Sequence, residues 1–147
     1  MRTEELTIDT TGRELVDLTP DVRRFASVAT ATRGAPSERD QTGADGLLNV
    51  FVPHATAGLA VLELNDGSEP DLARLLESLL PKDIPYSHSH GSPGHGADHL
   101  LPALLSPSLV LPVTRGDVQL GTWQYVVLVD RNADNPKRRV RLSFIDG

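Results

Sequence analysis

Leu109-Val-Leu-Pro-Val113, Val118-Gln-Leu120, Gln124-Tyr-Val-Val-Leu-Val-Asp130 and Arg138-Arg-Val-Arg-Leu-Ser-Phe-Ile145 decide how this chain folds. Each is short and dominated by β-branched or aliphatic side chains, which suit a pleated surface. The segments between them, Arg115-Gly-Asp117 and Asn132-Ala-Asp-Asn-Pro136, carry turn residues, so the C-terminal half reads as strands joined by tight turns. Arg115-Gly-Asp117 spells an adhesion tripeptide but reads here as one of those turns. Strands in runs with short connections favour a largely antiparallel sheet or sandwich, with helices outside or at one end. The expected class is α+β.

The same reading extends towards the N-terminus. Period-two alternation in residues 2–9 and 13–16, around Thr10-Thr-Gly12, predicts a short hairpin. Thr19-Pro-Asp21 opens a helix that presents Val22, Phe25, Ala26 and Ala29 on one face and ends near Thr32. Residues 33–46 are polar and rich in breakers, and read as an exposed loop. Gly46–Val52 and Gly58–Leu64 are core strands interrupted by Pro53-His-Ala-Thr-Ala57. Ser68-Glu-Pro-Asp71 has the form of a capping box ahead of the stripe Leu72, Leu75, Leu76, Leu79, Leu80, which stops at Pro81. A third, short helix is predicted from Ala97 to about Leu105.

The length of 147 residues is that of one globular domain, expected to span 1–147. The 39% of hydrophobic residues and 12 glycines are enough to form a core. Net charge is -6, which provides no basic field for nucleic acid. With no cysteine there is no thiolate nucleophile, disulfide framework or Cys-type metal site. The N-terminal residues alternate polar and apolar side chains, unlike a signal peptide, and the longest apolar runs fall far short of the roughly 20 residues that cross a bilayer. A cytoplasmic protein with no membrane and no nucleic-acid partner is expected. Gly-x-Ser-x-Gly, a phosphate loop, Gly-x-Gly-x-x-Gly and His-Glu-x-x-His are all absent, which removes support for serine-elbow acyl transfer, nucleotide hydrolysis and dinucleotide redox.

Several residues remain as carriers of chemistry. His54 follows an apolar strand and precedes Ala55-Thr-Ala-Gly58, where the backbone can approach a ligand closely; the alternative is a histidine that hydrogen-bonds at a strand end. Glu63 interrupts Val61-Leu-Glu-Leu-Asn65 and shares a face with Val61 and Asn65, either as a site carboxylate or as a charge on the solvated face. His88, His90, His95 and His99 fall within 12 residues, and neutral imidazole is a common ligand for zinc and similar cations. Histidines in Gly/Ser-rich loops are also often simply solvated. His95 and His99 would share a helix face only if the helix began before Gly96, and Gly94 and Gly96 argue against that start. Gly121-Thr-Trp-Gln124 holds the only tryptophan, whose commoner role in a small domain is to plug the core.

In order, Pro53-His-Ala-Thr-Ala57, Glu63 with Asn65-Asp66, Tyr86-Ser-His88, Ala97-Asp-His99-Leu100, Gly116 and Gly121-Thr-Trp-Gln124 resemble the YjbQ family, often named secondary thiamine-phosphate synthase. The resemblance runs from about residue 4 to the C-terminus. It implies a compact β-rich α+β fold, usually a homotrimer, with a pocket where the family's histidines converge. By position it implies catalytic roles for His54, Glu63, His88 and His99, a divalent metal (zinc or magnesium) on His54, His88 and His99, and substrate contacts from Thr56, Asn65, Trp123 and Gln124. Three features depart from the pattern: the usual His-Thr-Thr-Ala reads His54-Ala-Thr-Ala57, His95 stands where asparagine is usual, and the 33–46 loop is long. The implied activity joins a pyrimidine methyl pyrophosphate to a thiazole phosphate, releasing pyrophosphate. Arg74, Arg115 and Arg138 are the candidates to neutralise that leaving group. The alternative is a trimeric protein that binds a phosphorylated or anionic metabolite, or a metal, without turnover.

Overall fold

The apolar run Val126-Val-Leu-Val129 is fully buried in the computed structural model, which describes residues 1–31, 43–88 and 90–147. It lies in β7 (Tyr125–Asp130), the centre of a three-stranded antiparallel sheet between β2 (Leu15–Asp17) and β4 (Ala57–Leu62). Val126 and Leu128 face one core, and Val127 and Val129 face another. A strand covered on both sides needs no polar alternation, which explains its unbroken apolar sequence.

The first core is closed by a five-stranded sheet in the order β1 (Arg2–Asp9), β8 (Lys137–Asp146), β3 (Gly46–Phe51), β5 (Ser108–Thr114) and β6 (Asp117–Val118), antiparallel throughout. Strand β8 alternates as expected of a sheet with one wet face: Val140, Leu142 and Phe144 are buried while Arg139 and Arg141 are exposed. Helix α1 (Thr19–Thr30) adds Val22, Phe25, Ala26 and Ala29 to this core, the face its sequence marks. The second core lies between β7 and the helices α2 (Ser68–Leu79) and α3 (His95–Leu104), which contribute Leu76, Ala97 and Leu101 together with Leu80. The architecture is the α+β antiparallel one, with three helices among the described residues. No helix among the described residues is long and apolar enough to cross a membrane.

Four local expectations are corrected. β1 and β2 do not form a hairpin: β1 pairs with β8 and β2 with β7. Thr10 makes the transfer between sheets, because its buried hydroxyl donates to Asp130 at 2.7 Å and its N–H to the Pro136 carbonyl at 2.8 Å. Ser68 does not cap α2; Gly67, with φ of 90°, occupies the N-cap and no side chain bonds there. Of the leucine stripe, Leu76 and Leu80 are buried but Leu75 and Leu79 are exposed. Trp123 is 65% exposed in the turn before β7, so it is no core plug. Arg115-Gly-Asp117 is the predicted tight turn, with φ of 51° at Arg115 and 83° at Gly116 joining β5 to β6. The first helix, expected to end near Thr32, ends at Thr30 with Ala31 as its C-cap, and the predicted 33–46 loop falls largely outside the described residues.

Candidate metal centre

Helix α3 begins at His95, two residues earlier than its glycines suggest. Gly94 takes φ of 82° as the N-cap, a left-handed conformation that suits glycine, and His95 is the first helical residue. Gly96 is a packing requirement: a Cβ there would lie 2.5 Å from Tyr86 Cβ and 3.1 Å from the His88 carbonyl oxygen. His95 and His99 therefore share a helix face, and their Nε2 atoms lie 2.9 Å apart.

The loop before α3 brings in the other two rings. His88 stands 4.2 Å from His99 and 5.6 Å from His95 between ring centroids, and the exposed His90 closes on His88 at 4.0 Å. Each of the four offers one nitrogen, and these nitrogens all lie within 4.8 Å of one another. Four imidazole nitrogens at about 2.0–2.1 Å from a tetrahedral zinc would be separated by roughly 3.3–3.4 Å, so closing the wider gaps and slightly opening the 2.9 Å His95–His99 contact would seat a cation. A cavity of about 240 Å³ opens here, lined by the loop from Ile84 to Gly96, including His88, His90 and His95. Loss of water around the rings, then the neighbouring imidazoles, pushes the pKa of His88 and of His99 down, favouring the neutral form that a metal requires.

Behind the rings a polar network anchors α3 to the turn between β7 and β8. His95 Nδ1 lies 2.8 Å from Asp134 Oδ2, and Asn132 Nδ2 donates to the buried Asp98 at 3.0 Å. Lys82 pairs with Asp98 at 3.1 Å and donates to the Arg131 carbonyl at 2.5 Å. The Asn132 N–H donates to Asp130 at 3.0 Å, and Asp130 accepts two hydrogen bonds from Arg138, at 2.6 and 2.7 Å, in an ion pair buried between the sheets. One continuous set of contacts thus runs from the ring cluster to the sheet junction.

The family model described as UPF0047 protein YjbQ-like matches residues 4–147. The chain belongs to the YjbQ/UPF0047 family. A UPF0047 protein of Mycobacterium tuberculosis is 52% identical over 147 residues, covering 100% of both chains, and one of Archaeoglobus fulgidus is 33% identical over 136 residues, covering 92% of this chain and 94% of its own. Among solved structures, a hypothetical protein from Aeropyrum pernix K1 matches with a TM-score of 0.82 at 29% identity, covering 100% of both chains. A protein of unknown function from Sulfolobus solfataricus P2 matches with a TM-score of 0.84 at 21% identity over 99% of this chain and 97% of its own, which speaks for the fold alone.

The other positions that the YjbQ pattern singles out are dispersed. His54 is not one of the four clustered rings: it turns towards β8, where its Nε2 accepts the Arg139 N–H at 2.8 Å and its Nδ1 lies 3.4 Å from Arg138 Nη1. β3 ends at Phe51, opposite Arg141, so the ring accepts a backbone N–H beyond the ladder, which explains why His54 does not join His88 and His99. Burial first, then Arg138 and Arg139, pushes its pKa down. Glu63 sits just past β4 and is partly buried, and Thr56 is buried in the turn before that strand. Asn65 is exposed with φ of 77°, its N–H donating to Glu69 at 2.9 Å. Gln124 accepts the Gly121 N–H at 2.8 Å and so shapes the turn that exposes Trp123. Of the arginine candidates, Arg138 is committed to Asp130 and Arg74 to Asp71, while Arg115 occupies the β5–β6 turn. His90 and His95 belong to the histidine run that the sequence offers as a metal cluster, without roles of their own, and nothing in the sequence singles out Asn132 and Asp134. The i,i+4 spacing of His95 and His99 behind a glycine able to cap is the available signal for His95; the turn composition of 132–136 gives none for Asn132 and Asp134.

Proposed function

We propose that the protein binds a divalent transition metal through His88, His90, His95 and His99, and that this centre acts on a small phosphorylated or anionic molecule in the manner of a thiamine-phosphate synthase. The observation that carries the reading is the convergence of four ring nitrogens within 4.8 Å beside an open cavity. An all-imidazole donor set suits zinc, copper, nickel or iron rather than magnesium, which prefers oxygen ligands. A leaving pyrophosphate needs positive charge, and Arg138 and Arg74 are already paired, so a bound cation would be the group that supplies it. His90, exposed at the rim, is the donor that would give way to an incoming substrate oxygen.

A second reading, binding without turnover, is favoured by the donor count: four imidazoles fill a tetrahedral shell and leave no open position. The two readings separate in one experiment. Zinc-loaded protein is incubated with the pyrimidine methyl pyrophosphate and the thiazole phosphate, and phosphorus NMR follows pyrophosphate release. Catalysed release that disappears in His99→Ala supports the enzyme, whereas stoichiometric zinc with no release above the metal-only control supports the binding protein.

We also infer a homotrimer, the assembly that the resemblance to the YjbQ family implies. Leu75 and Leu79 on α2 and Leu100 and Leu104 on α3 are each about half exposed, and covering them in a ring of three would remove this apolar surface from water.

A further inference from the structure

We propose that Asp134 is a positioning residue that holds His95 in the Nδ1–H tautomer and so presents its Nε2 lone pair to a cation shared with His88, His90 and His99. This rests on the metal-centre reading above. Two side chains compete for His95 Nδ1: the Asp134 carboxylate at 2.8 Å, which only accepts, and the Asn132 amide nitrogen at 2.9 Å, which only donates. The amide orientation is set, because Asn132 Oδ1 accepts the N–H groups of Asp134 and Asn135 at 3.1 and 3.2 Å, leaving the NH₂ to face Asp98 and His95. If Nδ1 were unprotonated, its lone pair would face a carboxylate oxygen, whereas a proton there completes a charge-assisted hydrogen bond.

The carboxylate is itself held in place. Its Oδ2 accepts the Ser92 N–H at 3.1 Å, which fixes the oxygen that faces His95. Gly91 lets the loop pass close to the ring: with φ of 84°, a Cβ there would lie 2.6 Å from His95 Cγ. With Nδ1 protonated, His95 Nε2 carries a lone pair directed at His99 Nε2, 2.9 Å away, inside the cluster. A carboxylate partner of this kind orients a ligating histidine and raises its basicity, and its loss typically costs 10–100-fold in metal affinity. Without Asp134, the Asn132 NH₂ would donate to Nδ1, and the ring proton would move to Nε2, blocking the ligand position.

The test uses the full chain, stripped of metal and labelled with ¹⁵N, in parent, Asp134→Ala and Asp134→Asn forms. Asparagine retains an oxygen that accepts from Nδ1–H and from Ser92, so it serves as the conservative rescue. Long-range ¹H–¹⁵N correlation spectra are expected to show His95 protonated at Nδ1 in the parent and in Asp134→Asn, and at Nε2 in Asp134→Ala. A structural role for the turn alone would not move this readout. Cobalt(II) titration, followed by its visible absorption, is expected to show about 10–100-fold weaker binding in Asp134→Ala and near-parental binding in Asp134→Asn. An unchanged tautomer in Asp134→Ala, or cobalt affinity within twofold of the parent, would overturn the positioning role. A tautomer exchange accompanied by no cobalt uptake in the parent would overturn the metal reading instead.

Discussion

His54 shows how the setting of one ring divides structure from chemistry. Its Nε2 accepts the Arg139 N–H, so the neutral form is the one the fold uses. Its folded pKa lies below the usual value of about 6.5 for an unfolded chain. Between those two values the unfolded chain binds more protons, so stability present above about pH 6.5 is lost as the pH falls. His54→Ala is therefore expected to cost about 1 kcal/mol near neutrality and to make the pH dependence below 6.5 shallower, with zinc stoichiometry unchanged. Thermal melts across that range, with metal analysis, check this. Trp123→Ala belongs at the same scale. With 65% of the side chain exposed, the substitution is expected to move the melting midpoint by less than a buried aromatic would, with a cost below about 1 kcal/mol rather than the roughly 3–5 kcal/mol of a core cavity.

Among the elements, α3 carries the site because two glycines let it begin where it does. Gly96→Ala would push a methyl group into Tyr86 and the His88 carbonyl, so the helix start must shift away from the His88 loop. The expected result is a loss of about 1–3 kcal/mol from overpacking together with weaker zinc binding, read by melts and by titration. The same element marks the limit of legibility. Apolar spacing located α1 and α2 and most strands to within a residue or two, since periodicity reports the face an element buries. It also found α3 but placed its start two residues late, because Gly94 and Gly96 lower helix propensity, and only packing against Tyr86 and a left-handed N-cap reveal why they are there. Period-two alternation likewise marked β1 and β2 as strands without saying that each would pair more than a hundred residues away, Asp9 with Lys137 and Asp17 with Val127.

Across the whole molecule, the sheets meet at the buried Arg138–Asp130 pair, and the histidine cluster hangs from that junction through Asn132 and Asp98. The clustering of histidines was visible in the sequence; the carboxylate and amide that contact His95 come from a turn nearly 40 residues further on, a proximity created only by the tertiary fold. The proposed homotrimer, with the exposed leucines of α2 and α3 at its interfaces, predicts that light scattering gives three times the 15.9 kDa chain mass, and that Leu79→Glu with Leu104→Glu lowers it; a parent at 15.9 kDa would refute the trimer. The central claim, a metal centre of four imidazoles, is tested most directly by anomalous diffraction at the zinc edge from crystals grown with stoichiometric zinc. The account predicts one strong peak among His88, His90, His95 and His99, about 2.0–2.1 Å from ring nitrogens. A map with no peak there, or with zinc bound only at other residues, would contradict it.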